Sequence, residues 1–139
     1  MRFDRDGIAI DYPDHWTTDT EETDDGWTAL FQSPDTAFVM LSLHPDIDDQ
    51  AYLAEEVLKT LREDYPDLEA TPAVESLAGQ PAVGHDIAFV ALDLTNTAWT
   101  RVAAAGEGSV LFMAQFSDID ETAHEPTLRA MQACLAMDD

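Results

Sequence analysis

The chain is 139 residues long and carries 29 Asp and Glu against 6 Lys and Arg, for a formal net charge of −23. A polyanion of that density repels nucleic acid and anionic membrane, which excludes both as expected partners. Because 45% of the residues are hydrophobic, and Trp16, Trp27 and Trp99 are spread along the chain, the acids are expected to coat a folded body and not to form a disordered tail.

The first third reads as β. Residues 7–12 alternate Ile8 and Ile10 with Ala9 and Asp11, a strand pattern. Pro13-Asp14 forces a turn before Trp16. Over residues 26–33, Trp27, Ala29 and Phe31 fall on one face, and Ser33-Pro34-Asp35 is the break. Residues 37–43 are apolar at nearly every position, through Phe38, Val39, Met40, Leu41 and Leu43. That is the pattern of a strand covered on both faces. A helix follows. Asp48 or Asp49 can cap it, since a carboxylate there accepts from orphan backbone N–H groups and suits the helix dipole. Ala54, Val57, Leu58, Leu61 and Tyr65 share one face, Glu55, Glu56, Lys59, Arg62 and Glu63 the other, and Pro66 stops the helix.

The second half returns to β. Residues 73–77 lead through Ala78-Gly79-Gln80, a tight turn, into a long run over 81–94. Within it, Ile87, Ala88, Phe89, Val90, Ala91 and Leu92 read as a second central strand. Residues 98–105 and 109–116 are joined by Gly106-Glu107-Gly108, a hairpin signal. A closing helix is expected from about Pro126 through Leu128, Met131 and Leu135. The expected fold class is α+β: one domain over 1–139, with a mostly antiparallel sheet of about six or seven strands flanked by helices. The single cysteine, Cys134, forms no intramolecular disulfide and reads as a small buried helix residue, not a nucleophile. With no apolar leader after Met1, no lipid-attachment cysteine and no membrane span, the expected location is the cytoplasm.

The order of these elements resembles a known family. A short strand through Ile8 and Ile10 is followed by Pro13-x-x-Trp16 and a strand ending Phe31-Gln32-Ser33-Pro34. An apolar strand and a helix come next, Leu77-Ala78-Gly79-Gln80-Pro81-Ala82 sits mid-chain, and the end is a strand, a spacer and a short helix. Over nearly its whole length the chain resembles the PsbP-like superfamily, which includes the Ran-binding Mog proteins and the bacterial DcrB-like proteins. The resemblance implies an α/β/α sandwich around an antiparallel sheet. It also implies a mostly non-enzymatic history, as photosystem subunits, binders of a small GTPase and chaperones of secreted toxins. The chain lacks the lipoprotein signal and the transit peptide of some branches. Functional residues differ between branches, so none is carried onto a position here.

Several constellations could carry chemistry. Residues 44–49, with His44, Asp46, Asp48 and Asp49, could form a loop for a hard cation. The same residues serve as a strand-to-helix turn with an acidic cap, and they lack the glycine and distal glutamate of an EF-hand loop, so no metal site is assigned. His85-Asp86, expected at a strand start, could serve acid–base work, but a histidine beside an acid is expected by chance among 29 carboxylates. His15 and His124 stand apart. The serines show no nucleophile elbow, and paired carboxylates cannot be singled out on so acidic a surface. Trp16, Trp27, Phe31, Phe38, Trp99 and Phe112 could line a ligand cleft, though core packing explains them more simply. No catalytic, cofactor-binding or metal residue is therefore assigned, and no cofactor is expected.

The leading expectation is a non-enzymatic cytoplasmic domain that binds another protein through its sheet face or rim. One alternative is a chaperone for apolar segments of secreted effectors, of the Eag type. Another is a small enzyme with an unfamiliar site at His85 or His44. The acidic coat suits either a saline cytosol or a basic partner, and its self-repulsion is expected to concentrate over residues 19–25 and 46–49.

Overall fold

The computed structural model describes residues 1–23 and 26–137; Asp24 and Asp25, within the first acid cluster, lie outside the described residues. In chain order the elements are β1 (Arg2–Arg5), β2 (Ile8–Asp11), β3 (Thr17–Glu22), β4 (Trp27–Gln32), β5 (Phe38–His44), α1 (Gln50–Asp64), β6 (Glu69–Leu77), β7 (Gln80–Ala91), β8 (Leu94–Ala105), β9 (Gly108–Ser117), α2 (Glu121–Cys134) and β10 (Ala136–Met137). A 3₁₀ turn, Asp118–Asp120, links β9 to α2.

The fold class is α+β. A seven-stranded sheet runs β3-β4-β5-β9-β8-β7-β6, and a three-stranded sheet runs β1-β2-β10. Every pairing is antiparallel. Two-residue turns set the register of the meander β6 to β9: Leu77 opposes Gln80, Ala91 opposes Leu94, and Ala105 opposes Gly108. Gly79 supplies the left-handed φ, 79°, that the first of these turns needs.

Alternation gives the seven-stranded sheet two faces, one packed by α1 over β7 and β8 and the other by α2 and the small sheet. On the α1 side, Leu53, Ala54 and Leu58 bury against Val102, Leu111, Ile87 and Met113. Asp49 caps α1 by accepting from the Tyr52 N–H at 3.0 Å, and Tyr65 ends it ahead of Pro66. On the other side, α2 and the small sheet press Leu128, Met131, Leu135, Ile8 and Ile10 onto Trp27, Phe31, Val39, Leu41, Phe112 and Phe116. Trp16, just beyond the Pro13 turn, is buried there, its ring edge-on to His124 of α2. No helix among the described residues is long and apolar enough to cross a membrane.

Four expectations need correction. The apolar run over 87–92 is not a central strand: β7 stands second from the sheet edge and ends at Ala91. Leu92-Asp93 forms a turn at φ 53° and 63°, chemistry that the sequence disguises, and Val90 on β7 is 67% exposed. The central strand is β9, buried along almost its whole length. Helix α2 begins at Glu121, so Pro126 lies inside it and not at its start. His85 sits in mid-strand, since β7 already begins at Gln80. Cys134 is exposed, because the buried stripe of α2 runs through Leu128, Met131 and Leu135 and leaves the thiol at the stripe's edge. There its sulfur lies 3.2 Å from the Met131 carbonyl and accepts from the Asp11 N–H at 3.4 Å.

Candidate sheet-face site

Helix α2 crosses the sheet over β9 and stops short of β6 and β7. On the stretch left bare, the register of three strands gathers a polar cluster. Glu75 comes from β6, Asp86 from β7, and Trp99 and Arg101 from β8. Helix α2 adds Arg129 and Gln132 at the edge. Arg101 lies opposite Gly84. A Cβ at position 84 would stand 1.8 Å from the Thr100 carbonyl oxygen, so only glycine lets β7 and β8 approach this closely.

Arg101 is 3% exposed, an uncommon burial for a guanidinium. Its Nε donates to Glu75 at 2.6 Å and its Nη2 to Asp86 at 2.8 Å. Its Nη1 donates to the Thr100 carbonyl at 2.7 Å and the His85 carbonyl at 3.3 Å. Four of the five donors of its fixed fork are thus paired, which offsets the cost of desolvating the charge. Glu75 also accepts from the Gln132 amide, whose oxygen accepts from the Trp99 indole N–H at 2.7 Å. The Arg129 guanidinium lies over the Trp99 ring at 3.8 Å, a cation–π contact. Burial pushes the Glu75 carboxyl up. Hydrogen bonds from Gln132 and Arg101, with the charges of Arg101 and Arg129, outweigh it and hold the group below its ordinary value. The cluster therefore keeps its charges fixed and pins α2 to the sheet beside open ground.

That open ground is a trough of about 330 Å³ lined by Glu69, Thr71, Asp86, Ala88, Thr97 and Arg129. A second cleft of about 540 Å³ runs between the end of α2 and the β6–β7 turn, past Glu75, Gly79, Gln132 and Met137. A third, of about 720 Å³, lies where the turns at Gly7, Gln80 and Gly106 meet Pro45 and Asp46. A mostly apolar groove of about 430 Å³ separates α2 from β2, between Tyr12, Pro13, Ala130 and Met131. No histidine lines any of these four.

The residues singled out in the sequence lie elsewhere. The acids of residues 44–49 do not converge: Asp49 caps α1, while Asp46 and Asp48 are exposed. Among the described residues no three groups are placed to hold a metal ion. His44 bonds Ser42 Oγ through Nε2 at 2.8 Å, and burial pushes its pKa down. His85 and Asp86 are neighbours in a strand, so they point to opposite faces. Asp86 joins Arg101, whereas His85 turns under α1, buried, with Nε2 3.4 Å from Glu55 and Nδ1 without a partner. His124 lies 3.0 Å from Asp35. Of the aromatic set, Trp16, Trp27, Phe31, Trp99 and Phe112 are core residues, and Phe38 is half-buried. The cluster around Arg101 went unrecognised, although a lone arginine between Thr100 and Val102 in an apolar strand was its signal.

No family model matches the chain, and no curated protein is similar to it in sequence. Solved structures do share its shape. PA94 of Pseudomonas aeruginosa, a protein of unknown function proposed to be a regulator, superposes with a TM-score of 0.63 at 15% identity, across 100% of this chain and 98% of its own. LpqN of Mycobacterium tuberculosis, involved in cell envelope biogenesis, superposes with a TM-score of 0.57 at 14% identity, across 95% of this chain and 83% of its own. At such identity the likeness concerns the fold alone, and the chain carries the α+β architecture found in PA94 and LpqN.

Proposed function

We propose that this is a non-enzymatic, cytoplasmic protein-binding domain of the PsbP-like kind, and that it receives a basic partner on the bare stretch of β6, β7 and β8. The observation that carries the reading is that stretch itself. It is a sheet surface with Thr71 and Asp86 exposed and Ala88 and Thr97 half-buried, adjoining the Arg101 cluster on the same face and sharing Asp86 with it. Glu69, Glu75 and Asp86 outnumber Arg101 and Arg129 around it, and that excess of acid would orient a cationic surface and speed its encounter.

The test is affinity capture at the salt concentration of the source cytosol, with the parent and a Thr71→Arg, Thr97→Arg variant side by side. A protein that the parent retains and the variant loses supports the reading. Capture that is equal for both, or no partner for the parent, overturns it. The apolar groove beside Tyr12 and Met131 favours a second reading, a chaperone for apolar segments of secreted effectors. Under that reading the captured protein would be such an effector, and Ala130→Asp would release it.

A further inference from the structure

The β7–β8 hairpin ends in a feature that the fold itself does not require. Its two turn residues, Leu92 and Asp93, both hold left-handed backbone, at φ 53° and 63°. Turns of this type favour Asn-Gly or Asp-Gly, and a leucine there is strained. The same leucine is 95% exposed, so its side chain gains nothing from the core in return. Strain held at an exposed apolar residue points to a use outside the domain.

Leu92 is not alone. Val90 and Ile119 are each 67% exposed. Asn96 near the start of β8 pairs with Ser117, so the 3₁₀ turn bearing Ile119 lies beside the hairpin's base, at the same end of the sheet. Acids surround this apolar tip. Asp64, Asp67 and Glu69 share a cleft with Val90, Asp93 is in the turn, and Asp118 precedes Ile119. Between Arg62 and Arg101 the chain has no lysine or arginine.

We propose that the β7–β8 tip is an anchor, with Leu92 entering an apolar socket on another protein whose rim carries Lys or Arg. This rests on the protein-binding reading above and names the residue that makes first contact. Charge complementarity selects the occupant. A second copy would bring the same five acids face to face, and an anionic bilayer would be repelled by them. A basic-rimmed socket matches both the apolar centre and the negative ring.

The experiment places the photo-crosslinker p-benzoylphenylalanine at position 92 of the full chain. A second chain carries it at position 74, where Val74 is exposed but remote on β6. Both are irradiated in cells at native salt. The expected result is a heterologous adduct from position 92 and none from 74, with the adduct mapping to an apolar site flanked by Lys or Arg. Leu92→Asn complements it. Asparagine suits the left-handed turn, so melting temperature should rise, while capture of that partner should fall by about tenfold or more. Undiminished capture by Leu92→Asn overturns the proposal, as does an adduct with a second copy or with lipid. A partner lost by Thr71→Arg, Thr97→Arg but kept by Leu92→Asn would refute the anchor and leave the sheet-face reading standing. No partner for the parent would refute both.

Discussion

At the scale of single residues, Glu75 makes the clearest link between structure and pH. Its carboxyl is held below its ordinary value of 4.5, so the folded state gives up a proton more readily than the unfolded chain does. Stability from this group is therefore fully present above that value and is lost as pH falls through the lower, folded one. Glu75→Gln should weaken the fold by a constant amount near neutral pH. The gap from the parent should close in urea titrations as pH falls through the lower, folded value, and a gap that persists in strong acid would show that its charge is irrelevant. Trp16 presents a different kind of dependence. It is 5% exposed, held between the Pro13 turn and His124, and Trp16→Ala should cost roughly 3–5 kcal/mol by thermal or chemical denaturation. A burial of this kind was readable from Pro13-x-x-Trp16. The Arg101 cluster was not, because Glu75, Asp86 and Arg101 meet only when the register of three strands is known.

Among the elements, legibility followed apolar patterning. Strands β4 and β5, helix α1 and the β8–β9 hairpin announce themselves through Trp27, Ala29 and Phe31, the run from Phe38, the stripe through Ala54 and Leu58, and Gly106. Strand β3, Thr-Thr-Asp-Thr-Glu-Glu, has no apolar residue and forms only because β4 offers it a ladder. Strand β1 was missed although Asp6-Gly7, at φ 52° and 79°, is a proper hairpin turn. Strand β6 is an open edge, and Pro72 lies midway along it opposite His85. The His85 N–H and carbonyl both turn toward β8, to Thr100 Oγ1 and Arg101, so the backbone of Pro72 faces outward. Proline there removes an outward donor where another strand would otherwise add on. Pro72→Val should leave the monomer folded but promote concentration-dependent association, measurable by sedimentation velocity. A purely monomeric variant at high concentration would show that the edge is guarded by charge instead.

For the molecule as a whole, the governing quantity is the charge of −23. Raising KCl from 0.1 M to 1 M shortens the screening length from about 10 Å to about 3 Å, so the fold should gain stability over that range. Salting-out contributes in any protein, so the decisive comparison is charge reversal. Asp49 caps α1 and is left in place. Asp19, Glu21, Asp46 and Asp48 are exposed and suit the purpose. Changing these four to Lys should raise stability at low salt and flatten the KCl response. A response as steep as the parent's would exclude self-repulsion and leave a basic partner as the reason for the acids.

The pairing of β5 with β9 orders events in time. Val39 must find Ala114, whereas β6 to β9 each join their neighbour through a two-residue turn. Short loops close at small entropic cost and long ones more slowly, so the meander can assemble first and the wing of β3, β4 and β5 docks last. On the ribosome the order of emergence is the reverse. Phe38, Met40 and Leu41 leave the exit tunnel early and stay without their partner strand until residues 108–117 have been made. For that interval the nascent wing is an apolar edge, with the acids of β3 beside it to keep other chains away.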